Sequence, residues 1–300
     1  MNSSRVFVPA HITGFFVIRD ASADPLKKGS LGAGINLRLG ITTEINLQEG
    51  NGKIIFDTPY DVFPQVSFDT AQMIMQEIPL EGIDIHISQY SDIPNEAGLG
   101  ASGAGALGVA MGIFSAADIP ITINEAAQYA HRAEVQNRTG LGDVIAQVTG
   151  SLEVRIKHGA PGIGHVNKYL ISPNKRVVFI SKSGMKTSSV LSDPVFRNEI
   201  NKAGLKKIDE ILKNPSIDNF MELSYEFARE SGLMPDEIVE ILDLLKKEGF
   251  KNSSMIMLGH SIFSVLPKSE ALRELEFLKN NFPDFTHGIS EIDVCGAHLI

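Results

Sequence analysis

In the first half of the chain apolar and polar residues alternate over short runs: RVFV, GAGINLRLGITTEINL, KIIFD and IDIHIS. Alternation of period two buries one face of a sheet, and it is cleanest in ITTEINL and IDIHIS, so these runs predict β-strands. A small-residue helix is expected after the glycine-rich turn at 94–108. A second helix is expected over Ile123–Asn137, with Asn124 as its cap. SLEVRIKHG returns to alternation and to a strand, with Leu152, Val154 and Ile156 on one face and Glu153, Arg155 and Lys157 on the other, the charged face being solvated unless it borders the cleft. The second half has a different texture. KRVVFIS predicts a strand, helical periodicities cover about 193–213, 217–230 and 235–248, and ALRELEFLKNNF predicts a further helix. SSMIMLGHSIFSVLP reads as a glycine-interrupted apolar segment feeding a strand, and GISEIDVCGAHLI as a final strand. The pattern predicts an α+β fold with a mixed N-terminal domain over 1–170, a smaller α/β sandwich over 171–300, and a cleft between them.

The turn PNEAGLGASGAGALG runs into the uncharged VAMGIFSAA. A glycine-rich turn just ahead of a helix leaves the first-turn N–H groups without intrahelical partners and without side chains in front of them, which is a phosphate cradle. Gly98, Gly100 and Gly103 let the backbone close on phosphate oxygens, and Ser102 offers a hydroxyl to a bound magnesium ion. The motif lacks the Gly-Lys-Ser/Thr ending of a Walker A loop and the spacing of a dinucleotide fingerprint. The plain alternative is a buried helix whose glycines permit close packing. A membrane span is rejected, because the stretch is built of Gly, Ala and Ser rather than large aliphatics and has no basic flank.

Three hundred residues, 43% of them hydrophobic, predict a folded protein with a sizeable core and two domains of ordinary size. The net charge of −9 argues against a nucleic-acid groove or an anionic membrane surface, while leaving small anionic ligands open. Cys295 is the single cysteine, so no intrachain disulfide or cysteine zinc site forms, and a cytoplasmic setting fits. MNSSRVFVPAHITG has no apolar signal core and reads as a strand start.

Phosphoryl transfer needs a cradle, a metal against the nucleotide, and a group that orients or deprotonates the attacking hydroxyl. Glu134 shares a helix face with Ala127 and Ala130, which turns its carboxylate inward toward a partner such as magnesium; the alternative is an exposed helix-end glutamate paired with Arg132 or Arg138. Asp143 sits between glycines and an apolar helical segment, either as an N-cap or as a base at the cleft edge, and the two roles coexist. Arg155 either lies on a solvated strand face or grips a substrate carboxylate with parallel hydrogen bonds. DPLKKGSLGAG puts Lys27, Lys28 and Ser30 on a glycine-flanked loop, with Ser30 a candidate ligand contact. His11 is either a substrate contact or a satisfied structural residue.

PNEAGLGASGAGALG resembles the central motif of the GHMP kinases, Pro-x-x-x-Gly-Leu-Gly-Ser-Ser-Ala-Ala. The first motif serine is Ala101 here and the second, which meets magnesium in the family, is Ser102; the family's active-site Glu and Asp fall on Glu134 and Asp143. VPAHITGFF, DPLKKGSLGAGINL, TGLGDVIAQVTGSLEVRIKHGAPGIG and SSMIMLGHSIFSVL are similar to runs of the archaeal pantoate kinase branch, and together they span most of the chain. His11 stands where many GHMP kinases carry Lys, and the glycine-rich third motif is reduced to the surroundings of Gly259.

The resemblance implies an N-terminal domain of the ribosomal protein S5 domain 2 type and a ferredoxin-like C-terminal domain. It implies ATP and Mg2+ as cofactors, and ATP-dependent phosphorylation of the primary hydroxyl of pantoate, giving 4-phosphopantoate for archaeal coenzyme A biosynthesis. Gly98, Leu99, Gly100, Ala101, Ser102 and Gly103 would hold the nucleotide, Ser102 and Glu134 the metal, and His11, Ser30 and Arg155 the substrate, with Asp143 catalytic. A homodimer is compatible with it. The rival readings are a GHMP kinase acting on homoserine, mevalonate or shikimate, and a kinase-like metabolite sensor without turnover.

Overall fold

The computed structural model describes residues 2–57, 63–94, 97–182, 194–257 and 259–300. Two long antiparallel strands, β1 (Asn2–Arg19) and β2 (Gly29–Glu49), form the backbone of a seven-stranded sheet. Strand β2 is long enough to serve two neighbours on its far side. Its second half pairs with β4 (Ile83–Ser91), and its start pairs with β5 (Leu152–Lys157). Strand β3 (Ile54–Asp57) lies parallel to β4, and β6 (His165–Tyr169) extends the sheet beyond β5. The second sheet has four strands in the order β10 (Thr286–Ser290), β7 (Lys175–Lys182), β9 (His260–Pro267) and β8 (Ser253–Met255). The architecture is α+β, as the alternating runs imply.

Helices α1 (Gln65–Glu77), α2 (Ala101–Ala116), α3 (Ile123–Asn137) and α4 (Asp143–Thr149) belong to the first sheet. Helix α2 packs on β1 and β2 and is itself covered by α1 and α3, so it is buried on nearly every side. Its glycines are what permit this: a Cβ at Gly108 would stand 2.3 Å from Thr43 Oγ1, and one at Gly112 2.5 Å from Ile45 Cγ1. The close-packing reading of this helix therefore holds for Gly108 and Gly112. Among the described residues no helix is long and apolar enough to cross a membrane.

Helices α5 (Pro194–Lys213), α6 (Ile217–Glu230), α7 (Asp236–Lys247) and α8 (Lys268–Asn281) follow the periodicities closely, residue 193 lying outside the described residues. One apolar cluster runs through both sheets. Phe15 and Phe16 of β1 meet Phe227 of α6, and Phe220 of the same helix meets Phe15 and Phe263 of β9.

Three local expectations are corrected, and one element was not expected. Helix α3 is capped by Thr122, not Asn124: the Thr122 hydroxyl accepts from the Glu125 N–H at 3.2 Å and Glu125 Oε2 accepts from the Thr122 N–H at 2.9 Å, a reciprocal capping box. The last run is not one strand. It gives β10 in the second sheet and then β11 (His298–Leu299), which returns to pair with β1 in the first. Glu153 and Arg155 do not face solvent, because His11 and the turn before α4 cover that face of β5, and both side chains are buried. Helix α1 is an element the alternation did not announce, since its buried side carries Ser67 and Thr70 beside Val66, Ala71 and Ile74.

Candidate active site

A cavity of about 250 Å³ opens where the start of α2, the turn before α4, the start of β2 and the β8–β9 hairpin meet. Gly98 (φ +76°) and Gly100 (φ +68°) carry the chain through the left-handed region into α2, a conformation that costs any other residue type. Gly100 occupies the N-cap of α2 with no side chain capping it, so the N–H groups of the first turn have no intrahelical acceptor. Gly98, Leu99, Gly100, Ala101 and Ser102 all line the cavity. Gly103 does not; it is buried one step further, where a Cβ would press on Gln147 Oε1 at 3.0 Å. The cradle is braced from behind: the His11 N–H donates to the Leu99 carbonyl at 3.0 Å, and Gln147 Nε2 donates to the Gly100 carbonyl at 2.9 Å.

Glu134 points inward, as its spacing from Ala127 and Ala130 requires, and is 1% exposed. Thr139 Oγ1 donates to its Oε1 at 2.7 Å, while Oε2 has no hydrogen-bond partner among the described residues. Burial, and then the charge of Asp143, push its carboxyl up to about 7, with Ser102 and Thr139 pulling the other way. The absence of a Cβ at Gly140 makes room for both carboxylates. A Cβ there would lie 2.0 Å from Glu134 Oε2 and 3.0 Å from Asp143 Oδ2, so these two oxygens are at most 5.0 Å apart. A buried, unpartnered carboxylate oxygen beside a serine hydroxyl and a second carboxylate fits a hard divalent cation that takes its remaining ligands from phosphate and water.

Asp143 is the first residue of α4, and Gly142 takes the cap position, so the capping role does not hold it there. Its carboxylate lines the cavity with about a quarter of its surface exposed. Burial works against its charge, but the hydrogen bond and charge of His11, with Arg155 beyond, outweigh it and hold its carboxyl below the usual carboxylate range. His11 is fully buried and does not line the cavity. Its Nδ1 lies 2.7 Å from Asp143 Oδ1 and its Nε2 3.1 Å from Glu153 Oε1. Burial alone would favour the neutral ring; the two carboxylates overcome it and hold the imidazole above its ordinary value.

Arg155 is 1% exposed yet reaches the cavity wall, with Nη1 donating to Glu153 and Nε unpartnered. Ser30 Oγ converges on the same spot: a Cβ at Gly142 would lie 2.3 Å from it and 3.0 Å from Arg155 Nε. His131 anchors the loop ahead of Ser30, its Nε2 donating to the carbonyls of Pro25 and Lys28 at 3.2 and 3.1 Å, with burial holding the ring below its ordinary pKa.

The cavity thus gathers the cradle, Ser30, Asp143 and Arg155 on its wall, with Glu134 and His11 directly behind. Thr139, Gln147 and Glu153 support the site without having been singled out by sequence. Glu153 could have been noticed only by asking why a strand should place Glu and Arg side by side on one face; the same alternation assigned both to solvent.

A cradle of this kind, facing paired carboxylates on an α+β frame, defines a phosphotransferase that acts on a small molecule. Comparison with known proteins narrows it. Residues 66–151 match the GHMP kinases N terminal domain. The chain is 37% identical to a pantoate kinase of Thermococcus kodakarensis over 96% of its length and 95% of that protein's. It is 34% identical to a pantoate kinase of Methanocaldococcus jannaschii over 92% and 97% of the two chains. A solved structure described as a phosphotransferase related to the CoA biosynthesis pathway superposes with a TM-score of 0.86 at 35% identity, covering 99% and 98% of the chains. A homoserine kinase from Cytophaga hutchinsonii shares the fold, with a TM-score of 0.76 at 14% identity over 100% and 98%. The chain belongs to the GHMP kinase family, within its group of pantoate kinases.

Proposed function

We propose that the protein transfers the γ-phosphoryl group of ATP to the primary hydroxyl of pantoate, giving 4-phosphopantoate and ADP for coenzyme A biosynthesis. The observation that carries this reading is the single cavity in which the open start of α2, Asp143, and the Arg155–Ser30 pair share a wall. The backbone N–H groups of residues 101 and 102 take phosphate oxygens, and the turn held by Gln147 and His11 keeps them aimed. Ser102 and Glu134 would hold Mg2+, whose contribution is to offset phosphate charge. Arg155 Nε and Ser30 hold the acceptor's carboxylate, which leaves its hydroxyl toward Asp143.

The acceptor oxygen forms a bond to the γ-phosphorus as the bond from that phosphorus to the β,γ-bridging oxygen breaks. The electron pair leaves with ADP, and the hydroxyl proton passes to Asp143. Because His11 keeps Asp143 ionised and weakly basic, its main work is orientation, with proton uptake late in the step. This suits a loose transition state in which placement and charge supply most of the rate.

The division at 170 is part of this proposal, supported by sheet membership: strands up to Tyr169 serve the first sheet and those from Lys175 to Ser290 the second, with β11 crossing back. Cytoplasmic location is supported by the single cysteine and by use of ATP, and a small acceptor, rather than nucleic acid, by the charge of −9. A homodimer is the assembly to look for by light scattering. The test of function is ADP formation with pantoate beside homoserine, mevalonate and shikimate. Turnover confined to pantoate is expected. Preference for another alcohol would move the protein within the family, and binding without ADP release from any of them would make it a sensor.

A further inference from the structure

Asp143 and Arg155, the two groups assigned to opposite ends of the acceptor, are joined behind the cavity by an unbroken chain of alternating charge. Asp143 Oδ1 meets His11 Nδ1 at 2.7 Å, His11 Nε2 meets Glu153 Oε1 at 3.1 Å, and the same Glu153 oxygen accepts from Arg155 Nη1. The outer members reach the cavity; the inner two are 0% exposed. Strand β2 is built to let this chain through. Gly34 stands opposite Glu153 and Gly32 opposite Arg155 in the β2–β5 ladder. A Cβ at Gly34 would fall 2.1 Å from His11 Nε2, and one at Gly32 2.8 Å from Arg155 Nη2, so the imidazole crosses over bare backbone to reach β5, and the guanidinium lies over bare backbone in its turn.

We propose that Glu153 is a positioning residue that sets the separation between Asp143 and Arg155, holding the first through His11 and the second directly. This rests on the pantoate reading of the cavity. Glu153 takes the Nη1 side of the guanidinium and leaves Nε, which has no partner among the described residues, for the substrate. It also supplies the second of two carboxylates on the His11 ring, which allows a fully buried imidazole to carry its charge and to donate from both nitrogens. A carboxylate in this place therefore fixes the span between hydroxyl and carboxylate that an acceptor must match.

The experiment is the near-isosteric change Glu153→Gln. The charged groups facing His11 are Asp143 from α4 and Glu153 and Arg155 from β5, with Glu134 of α3 acting on Asp143. Loss of one carboxylate leaves burial less opposed, so His11 gives up its proton at lower pH. The alkaline limb of kcat/KM for pantoate then moves to lower pH. KM for pantoate rises about tenfold or more while KM for ATP stays within about twofold. Equal rises in both KM values, or an unmoved pH profile, overturns the proposal.

Nitrogen-15 NMR of His11 in the free wild-type protein, assigned by loss of its signal in His11→Asn, gives a readout independent of turnover and of whether the Gln variant folds. Protonation of both ring nitrogens at neutral pH is expected, and a neutral ring overturns the proposal. A wild-type protein inert toward pantoate contradicts the function proposed above and leaves this NMR result standing.

Discussion

Two carboxylates no more than 5.0 Å apart have opposite fates at this site. Glu134, buried with one oxygen unpartnered, is pushed up to about 7, whereas Asp143, touching His11, is held below the usual range. Environment alone separates a residue suited to a cation from one that stays ionised toward the acceptor. Replacing Asp143 by Asn keeps its shape and removes its charge. The variant is expected to fold normally and to lose about 10²- to 10⁴-fold in kcat, measured by coupled ADP release. Near-normal turnover would remove Asp143 from the chemistry. At this scale the sequence was informative where a residue's neighbours were local. The spacing of Glu134 from Ala127 and Ala130 turned it inward, and the glycines around Asp143 announced room for a ligand. It was silent about Glu153, because what makes that residue important is His11, which lies 142 positions away.

Among elements, α4 does more than carry Asp143. Gln147, one turn further along, ties the helix to the Gly100 carbonyl and so couples the element carrying Asp143 to the turn before α2. Gln147→Ala is expected to raise KM for ATP several-fold with a smaller change for pantoate, and equal effects in initial-rate measurements would show only general loosening. In the second sheet, Glu274 of α8 is buried against β9, where Ser264 Oγ donates to its Oε1 at 2.5 Å. Burial pushes its carboxyl up to about 7 from 4.5; Ser264 opposes this and Glu270 adds to it. The unfolded chain loses this proton near 4.5 and the folded chain near 7. The stability that goes with the neutral carboxyl is therefore complete below the first value and drains away as pH rises to the second. Relative to wild type, Glu274→Gln should gain up to about 3 kcal/mol between pH 4.5 and 8 in urea unfolding. A gain that does not vary with pH would contradict the assignment. Periodicity located α3 and the helices of the second half almost to the residue. It failed at Glu153 and Arg155 of β5, which are buried beside Leu152 and Val154 while Ile156 and Lys157 are exposed, because what covers them is the polar His11 and the turn before α4, which no apolar alternation announces.

Across the whole molecule, the two sheets share one core through Phe15, Phe16, Phe220, Phe227 and Phe263. The second sheet also reaches the cradle: a Cβ at Gly98 would meet the Met257 carbonyl at 2.9 Å, and one at Gly259 the Ala97 carbonyl at 2.6 Å. The hairpin of the C-terminal half thus closes on the turn before α2 and borders the cavity, which leaves no room for a side chain at Gly259. Its place could not be read from sequence, since it depends on how the sheets dock. On the function proposed above, the acceptor's carboxylate sits at Arg155 and Ser30 and its primary hydroxyl at Asp143, beneath the phosphate cradle. Phosphorus–proton NMR of the product made from pantoate and ATP shows which oxygen of the acceptor is presented to the phosphoryl group. Coupling of the new phosphorus to the methylene protons of the primary alcohol is expected. Phosphorus on the secondary hydroxyl, on the carboxylate, or on no product at all would contradict it.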